Sequence, residues 1–200
     1  MKRKLLLAIL AVVSAVFMPL AATSQIAPDR PAKPEKTEPS YKWKVFAGYG
    51  YTSLNQVNQS ENGLQGVNVS LTRNWGKYFG LTADGGFYAY PYDAANPGNP
   101  KVDMVLLGPE LHVSIVDRVE GFAHVLFGGE HTGGDFTIPK VSLAGGAGGG
   151  LDYKLKNPHF ALRLSGDDIA SAFVQDPNHL GYSPHLRQNA RAAFGVVYKF

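Results

Sequence analysis

The sequence predicts an all-β chain, an eight-stranded antiparallel up-and-down transmembrane β-barrel, and three observations carry that prediction. Apolar and polar residues alternate with period two through eight segments from Tyr41 onward. The connections between segments are short and long in strict alternation. A leader of export type and a proline-rich stretch precede the first segment, which divides the chain into a signal peptide (1–24), a disordered tail (25–40) and the barrel (41–200). Composition agrees: Gly 23 and Pro 13 in 200 residues suit strands and turns rather than a helical bundle. The absence of cysteine excludes a disulfide framework, a thiolate metal site and a cysteine nucleophile.

The leader has a basic start (Lys2, Arg3, Lys4), an apolar run from Leu5 to Phe17 and small residues after Pro19, with Ala22 and Ser24 suited to cleavage after Ser24. Its apolar core is about 13 residues, short of the ~20 that span a bilayer. Removing Lys2, Arg3 and Lys4 from 19 basic residues leaves 16 against 16 acids, so the net charge of +3 belongs to the leader and nucleic-acid binding is not indicated. Pro28, Pro31, Pro34 and Pro39, interleaved with Lys33, Glu35, Lys36 and Glu38, make residues 25–40 an extended spacer.

The first segment sets Trp43, Val45, Ala47, Tyr49 and Tyr51 against Lys44, Gly48, Gly50 and Thr52. In the second, Val67, Val69, Leu71 and Trp75 oppose Asn68, Ser70 and Thr72; in the third, Phe79, Leu81, Ala83 and Phe87 oppose Thr82, Asp84 and Tyr88. The fourth sets Val105, Leu107, Leu111, Val113 and Ile115 against Glu110, His112 and Ser114. Pro109 in this run has no ladder donor, which predicts a bulge or bend there. The fifth to seventh, at 122–130, 142–153 and 160–173, alternate less cleanly, with Leu162 and Leu164 opposing Arg163 and Ser165. The last is the clearest: Ala190, Ala192, Phe194, Val196, Tyr198 and Phe200 against Asn189, Arg191, Gly195 and Lys199. Most segments are about 10–12 residues, the length of a tilted strand that crosses a bilayer.

Tight connections are expected at 76–77, 117–121 and 155–158, and long ones at 54–63, 91–103, 132–140 and 174–185. Long loops at one end and tight turns at the other are a property of outer-membrane barrels, and an even strand count returns both chain ends to the periplasmic side. Aromatic residues mark the segment ends as interfacial belts. Trp43, Trp75, Tyr78, Phe122, Tyr153, Phe160, Tyr198 and Phe200 are expected at the turn end, and Tyr49, Tyr51, Phe87, Tyr88, Tyr90 and Phe173 at the loop end. The same alternation fits a secreted lipocalin-like carrier with the faces reversed. Loop asymmetry and the final residue favour the membrane barrel.

The chain ends Phe194-Gly-Val-Val-Tyr198-Lys-Phe200, similar to the last strand that outer-membrane proteins present to the barrel-assembly machinery. With the opening Val45-Phe-Ala-Gly-Tyr49-Gly-Tyr51, the run Phe122-Ala-His-Val-Leu-Phe-Gly-Gly129 and Gly148-Gly-Gly-Leu-Asp152-Tyr, the chain resembles the outer-membrane β-barrel domain family of small, eight-stranded, porin-like proteins, over about residues 41–200. The resemblance implies the fold, an outer-membrane location and a structural or adhesive role. It also implies an assembly signal at Phe194, Tyr198 and Phe200.

Candidate chemistry is sparse. The run Ala144–Gly150 has no Lys-Ser/Thr and no helix after it, so it reads as a glycine-rich strand facing a crowded lumen rather than a phosphate cradle. Glu110, His112 and Ser114 share a face, the raw material of a serine nucleophile, and a similar His-x-Ser arrangement occurs in lipid A deacylase barrels. There it faces the membrane, whereas here its parity is inward. The six histidines (112, 124, 131, 159, 179 and 185) show no ligand spacing, and only His179 and His185, in one loop with Asp176, suggest a metal. Arg73 has outward parity three residues from the turn and is placed to snorkel to lipid headgroups.

The residues read as structural are therefore an inward polar network of Asp84, Glu110, His112, Arg163 and Arg191, completed by Asn68, Thr82 and Ser165. Belts are assigned to Trp43, Tyr49, Trp75, Tyr78, Phe87 and Tyr153. An eight-stranded barrel is just filled by its side chains, so the expected function is a non-enzymatic, monomeric outer-membrane barrel without cofactor or metal, partnered by outer-membrane lipids, lipopolysaccharide and the assembly machinery. The alternatives are a narrow gated pore, an adhesin, a lipid A modifying hydrolase or the lipocalin-like carrier. Deletion of Phe200 tests the class: a membrane barrel is expected to stall in the periplasm and be degraded, and a normal yield of folded, membrane-free protein would refute the barrel.

Overall fold

The computed structural model describes residues 41–54, 62–90, 101–133, 140–173 and 185–200. The chain divides into two units, Met1–Glu38 and Pro39–Phe200, and every described residue belongs to the second. The leader and the proline-rich tail thus lie outside the described residues. Eight strands follow in order: β1 (Trp43–Leu54), β2 (Asn62–Trp75), β3 (Phe79–Ala89), β4 (Lys101–Val116), β5 (Val119–Gly133), β6 (Lys140–Lys154), β7 (Phe160–Phe173) and β8 (His185–Lys199). Each pairs antiparallel with the next and β8 returns to β1, closing the barrel. The seam extends past the last strand residue, because the Trp43 and Phe200 backbones exchange hydrogen bonds of 2.9 and 3.0 Å.

The register fixes the stagger. Paired positions run from Lys42 through Asn74, Gly80, Glu110, His124, Gly148, Asp167 and Arg191 back to Thr52, ten residues along β1. At about 3.3 Å per residue and 4.8 Å between strands, that stagger tilts the strands by about 40°. Period-two alternation then sorts side chains without ambiguity. Val105, Leu107 and Phe127 face outward with 66%, 53% and 65% of their surface exposed, while Glu110 and Leu106 face inward and are buried. An outward band this apolar is what a lipid-facing wall requires and is far larger than the patches of soluble monomers.

Several details differ from the sequence reading. Pro109 shifts no register: β3–β4 pairing runs through it, while the β4–β5 ladder skips Gly108 and Pro109 and resumes in the same register at Glu110 and His124, as a residue without a donor requires. The irregularity in β4 lies instead between Ser114 and Val116, beside the turn. The connection expected at 117–121 is only Asp117 and Arg118, since pairing resumes at Val119. Phe122 and Tyr88 are not belt residues. Both point inward and are buried, and Tyr90 packs partly against the inner cluster. The strands also extend into the expected long connections, so Asn62, Gly63, Lys101 and Thr132 are strand residues. The remaining connections (55–61, 91–100, 134–139 and 174–184), with Asp176 and His179, lie outside the described residues.

Two glycines are required by geometry. Gly76 adopts φ 78°, the left-handed conformation, in the β2–β3 turn. Gly148 faces inward, where a Cβ would lie 2.7 Å from Cγ of Asp167. Gly148→Val is expected to lower stability in detergent by an overpacking cost of about 1–3 kcal/mol, read as a lower urea midpoint. An unchanged midpoint would show slack in the interior at this level.

Candidate functional site

The interior is the candidate site, and it is built in two unlike halves. Along β4 the inward residues run from His112 and Glu110 near the turn to Leu106, Met104 and Val102 near the long connections. Along β5 they run from Glu120, Phe122 and His124 to Leu126. Charge therefore collects toward the short-turn end, with an apolar layer beyond it.

Nearest the turns, Lys44 Nζ donates to Glu120 Oε1 at 3.0 Å and to Glu110 Oε1 at 3.3 Å, and Lys199 Nζ donates to Glu120 Oε2 at 3.1 Å. The Thr82 hydroxyl donates to Glu110 Oε2 at 2.9 Å and lies 2.8 Å from the Thr72 hydroxyl. Arg163 forms a two-pronged pair with Asp152, Nε to Oδ1 at 2.7 Å and Nη2 to Oδ2 at 2.8 Å. Its guanidinium also lies over the Phe122 ring, 4.0 Å from the centroid, and 5.5 Å from that of Phe46. The planar fork suits a carboxylate and its weakly hydrated face suits an aromatic ring, so a single side chain meets both partners.

Higher in the barrel, Arg191 donates from Nε to Asp167 Oδ2 at 2.7 Å and from Nη1 to Asp84 Oδ1 on β3. Asn68 Nδ2 supports Asp84 Oδ2 at 3.1 Å, and Nε2 of His124 lies 2.7 Å from Asp167 Oδ1. The residual cavity here is about 10 Å³, near the size of a single water molecule. Asn68, Asp84, His124, Arg163, Asp167 and Arg191 all line it. Above the pairs, Leu64, Tyr88, Val102, Met104, Leu106, Leu126, Ala144 and Ile169 form one buried apolar cluster. Near its outer edge Glu130 accepts a hydrogen bond from the Ser171 hydroxyl, which accepts one from Asn189 Nδ2 at 3.2 Å.

All five network residues read from the sequence are buried. They do not form one mutual network. Arg191 meets Asp84 directly, Glu110 meets Lys44, Arg163 meets Asp152, and His112 keeps an Nδ1 with no hydrogen-bond partner among the described residues. Ser114 is exposed at the rim, so it does not join His112 inside. The missed members are Lys44, Glu120, His124, Asp152, Asp167 and Lys199. Lys44 and Lys199 carry the same inward parity as the residues chosen, which was the available signal. Glu120 falls within the turn expected at 117–121, and Asp152 and Asp167 sit in strands whose alternation is blurred by glycine. The lumen is not polar throughout: an apolar layer around Leu106, Leu126 and Ile169 separates the charged turn end from the buried polar residues Glu130, Ser171 and Asn189 farther out.

Outside, Tyr49, Trp75, Tyr78, Phe87 and Tyr153 are exposed, with Trp43 half-buried. Phe194, Tyr198 and Phe200 are also exposed, and Tyr198 packs on Phe200 and Phe160 with ring centroids 5.7 and 5.2 Å apart. Among the described residues no group of three or more His, Cys, Asp or Glu side chains is placed to hold a metal.

No protein-family model matches the chain, and no curated protein matches it in sequence. Among solved structures, neisserial surface protein A superposes with a TM-score of 0.62 at 11% identity, over 80% of this chain and 97% of that one. Ail, the attachment invasion locus protein of Yersinia pestis, gives 0.51 at 16% identity over 80% and 99%. The N-terminal β-barrel domain of Pseudomonas aeruginosa OprF gives 0.50 at 12% identity over 80% and 98%. The fold is that of the small outer-membrane β-barrels. At these identities it is the architecture that is shared, while the lumen pairs described above belong to this chain's own residues.

Removing one member of a buried ion pair leaves the other charge uncompensated, which typically costs about 3–5 kcal/mol. Arg163→Leu is expected to lose that much in detergent unfolding, and Arg163→Leu combined with Asp152→Leu to recover most of it. A double variant no more stable than the single one would show that Asp152 is not the group left stranded.

Proposed function

We propose that the chain is a non-enzymatic outer-membrane barrel that carries its four long connections at the cell surface, in a structural or attachment role. The observation that supports this most is the filled interior. Paired charges occupy the turn-end half and the apolar cluster around Leu106, Leu126 and Met104 crosses the other, so no continuous water column runs between the ends of the described barrel. That favours display over transport.

The outward apolar band supports the membrane setting, and the short connections 76–78, 117–118 and 155–159 support an orientation with that end toward the periplasm. Neisserial surface protein A and the attachment invasion locus protein share the fold, and their names support a role at the cell surface. A hydrolase reading of Glu110, His112 and Ser114 finds less support, since His112 is buried and Ser114 is at the rim. In this reading the barrel is monomeric, surrounded by outer-membrane lipids and lipopolysaccharide, and assembled through recognition of the strand ending in Phe194, Tyr198 and Phe200.

Planar bilayers test it. The purified chain is expected to give no stable conductance, while Met104, Leu106 and Leu126 replaced together by Gly should admit water and raise the frequency of openings. Steady ion-selective current through the unaltered chain would replace the display reading with a channel.

A further inference from the structure

Arg73 stands out on the outer wall. It faces outward from β2 opposite Trp43 on β1, and its guanidinium carbon lies 5.4 Å from the Trp43 ring centroid and 5.7 Å from that of Trp75. Trp75 is itself stacked on Phe79, with centroids 6.0 Å apart and the planes inclined by 18°. On the other side of Arg73 the wall continues as Leu71, Val69 and Val67, all exposed and apolar. The cation is thus rooted one outward position inside the turn-end row of aromatics, on the hydrocarbon side of it.

Its hydrogen-bonding groups meet no anion among the described residues. None of the ion pairs among the described residues involves Arg73: the outward-facing acids Asp103 and Asp168 lie at the other end of their strands, and neither Asp117 in the β4–β5 turn nor the Phe200 carboxylate, both at its own end, is in ion-pair contact with it. A guanidinium presents five N–H donors in a rigid fork and keeps its charge in any surroundings. Ring faces meet the charge but accept no strong hydrogen bond. The long stem reaches from this position to the headgroup level, and the indoles belong at that same level. The anion available there, in a geometry that matches the fork, is a phosphate diester.

We propose that Arg73, held between Trp43 and Trp75, binds the phosphate of a glycerophospholipid in the leaflet at the short-turn end of the barrel. The site rests on the membrane reading above, since only a lipid-embedded wall brings a phosphate to it. The two tryptophans hold the guanidinium upright, so less side-chain freedom is lost on binding than for an isolated arginine. The acyl chains run along Leu71, Val69 and Val67.

Native mass spectrometry of the full chain, released from micelles containing phosphatidylglycerol, tests the site. The unaltered protein is expected to keep one phospholipid at activation energies where Arg73→Gln has lost it, with apparent affinity lower in the variant by about tenfold, the scale of one charge-assisted pair. Arg73→Lys should fall between the two, because it keeps the charge and loses the fork. Inorganic phosphate at millimolar concentration should not displace the lipid. Heat-dependent gel mobility after insertion into vesicles is read alongside. Equal lipid retention by Arg73→Gln with normal insertion overturns the site alone, as does displacement by inorganic phosphate. Failure of the unaltered chain to insert overturns the membrane reading and the site with it.

Discussion

Closure of the sheet is the constraint on which the rest of the structure depends. Once β8 pairs with β1 and the Phe200 backbone zips to Trp43, no strand edge is left within the described barrel. In return the interior becomes a narrow column whose every occupant is set by parity and by a ten-residue stagger. Side chains there have no bulk water to turn to, and each charge must find its counter-charge across the column. The wall answers to the opposite demand, and the same alternation that buries Glu110 exposes Leu107 and Leu111.

The lumen meets its demand with partners that lie far apart in the chain. Arg191 and Asp84 are 107 residues apart, Lys44 and Glu120 are 76 apart, and neither pair can be formed before the barrel is nearly complete. Local alternation makes the strands, but only the assembled ring satisfies the charges. An intermediate lacking one strand would leave Lys44, Arg191 or their acids unpaired, which favours a closed ring over partly closed alternatives. Glycines at inward positions of β6 belong to the same economy of space, because the Asp167 carboxylate occupies the volume a side chain at 148 would fill and the β7 backbone crowds positions 146 and 150.

Which side of the wall a residue faces is legible in the sequence; which residue it meets is not. Alternation marks Asp84, Glu110, Arg163 and Arg191 as inward from their immediate neighbours alone. Pairing across the column depends on the stagger, and no local pattern encodes the step from Lys42 round to Thr52. That is why Arg191 could be given an acid in general and not Asp84 in particular, whereas Asp152 faces Arg163 directly across the β6–β7 hairpin and is hidden by the glycine run beside it. Aromatic residues were harder, because Phe122 is as apolar as any belt residue and its neighbours Gly121 and Ala123 are too small to declare a face. Its inward role follows from Arg163, whose guanidinium needs a ring beside its carboxylate. Pro109 shows the converse: it interrupts the ladder to β5 over two residues, yet the register on both sides of it is unchanged.

Several charge pairs of the lumen connect strands that are not neighbours. Lys44 on β1 reaches β4 and β5, Arg191 on β8 reaches β3, and Lys199 on β8 reaches β5. Backbone ladders run round the circumference and resist stretching of the hoop, yet they do little against flattening it into an ellipse. Ionic struts across the bore do resist flattening, as spokes keep a rim round. A tube braced in this way resists being squeezed out of round by the lateral pressure of a bilayer, and most of all at its short-turn end, where the struts collect.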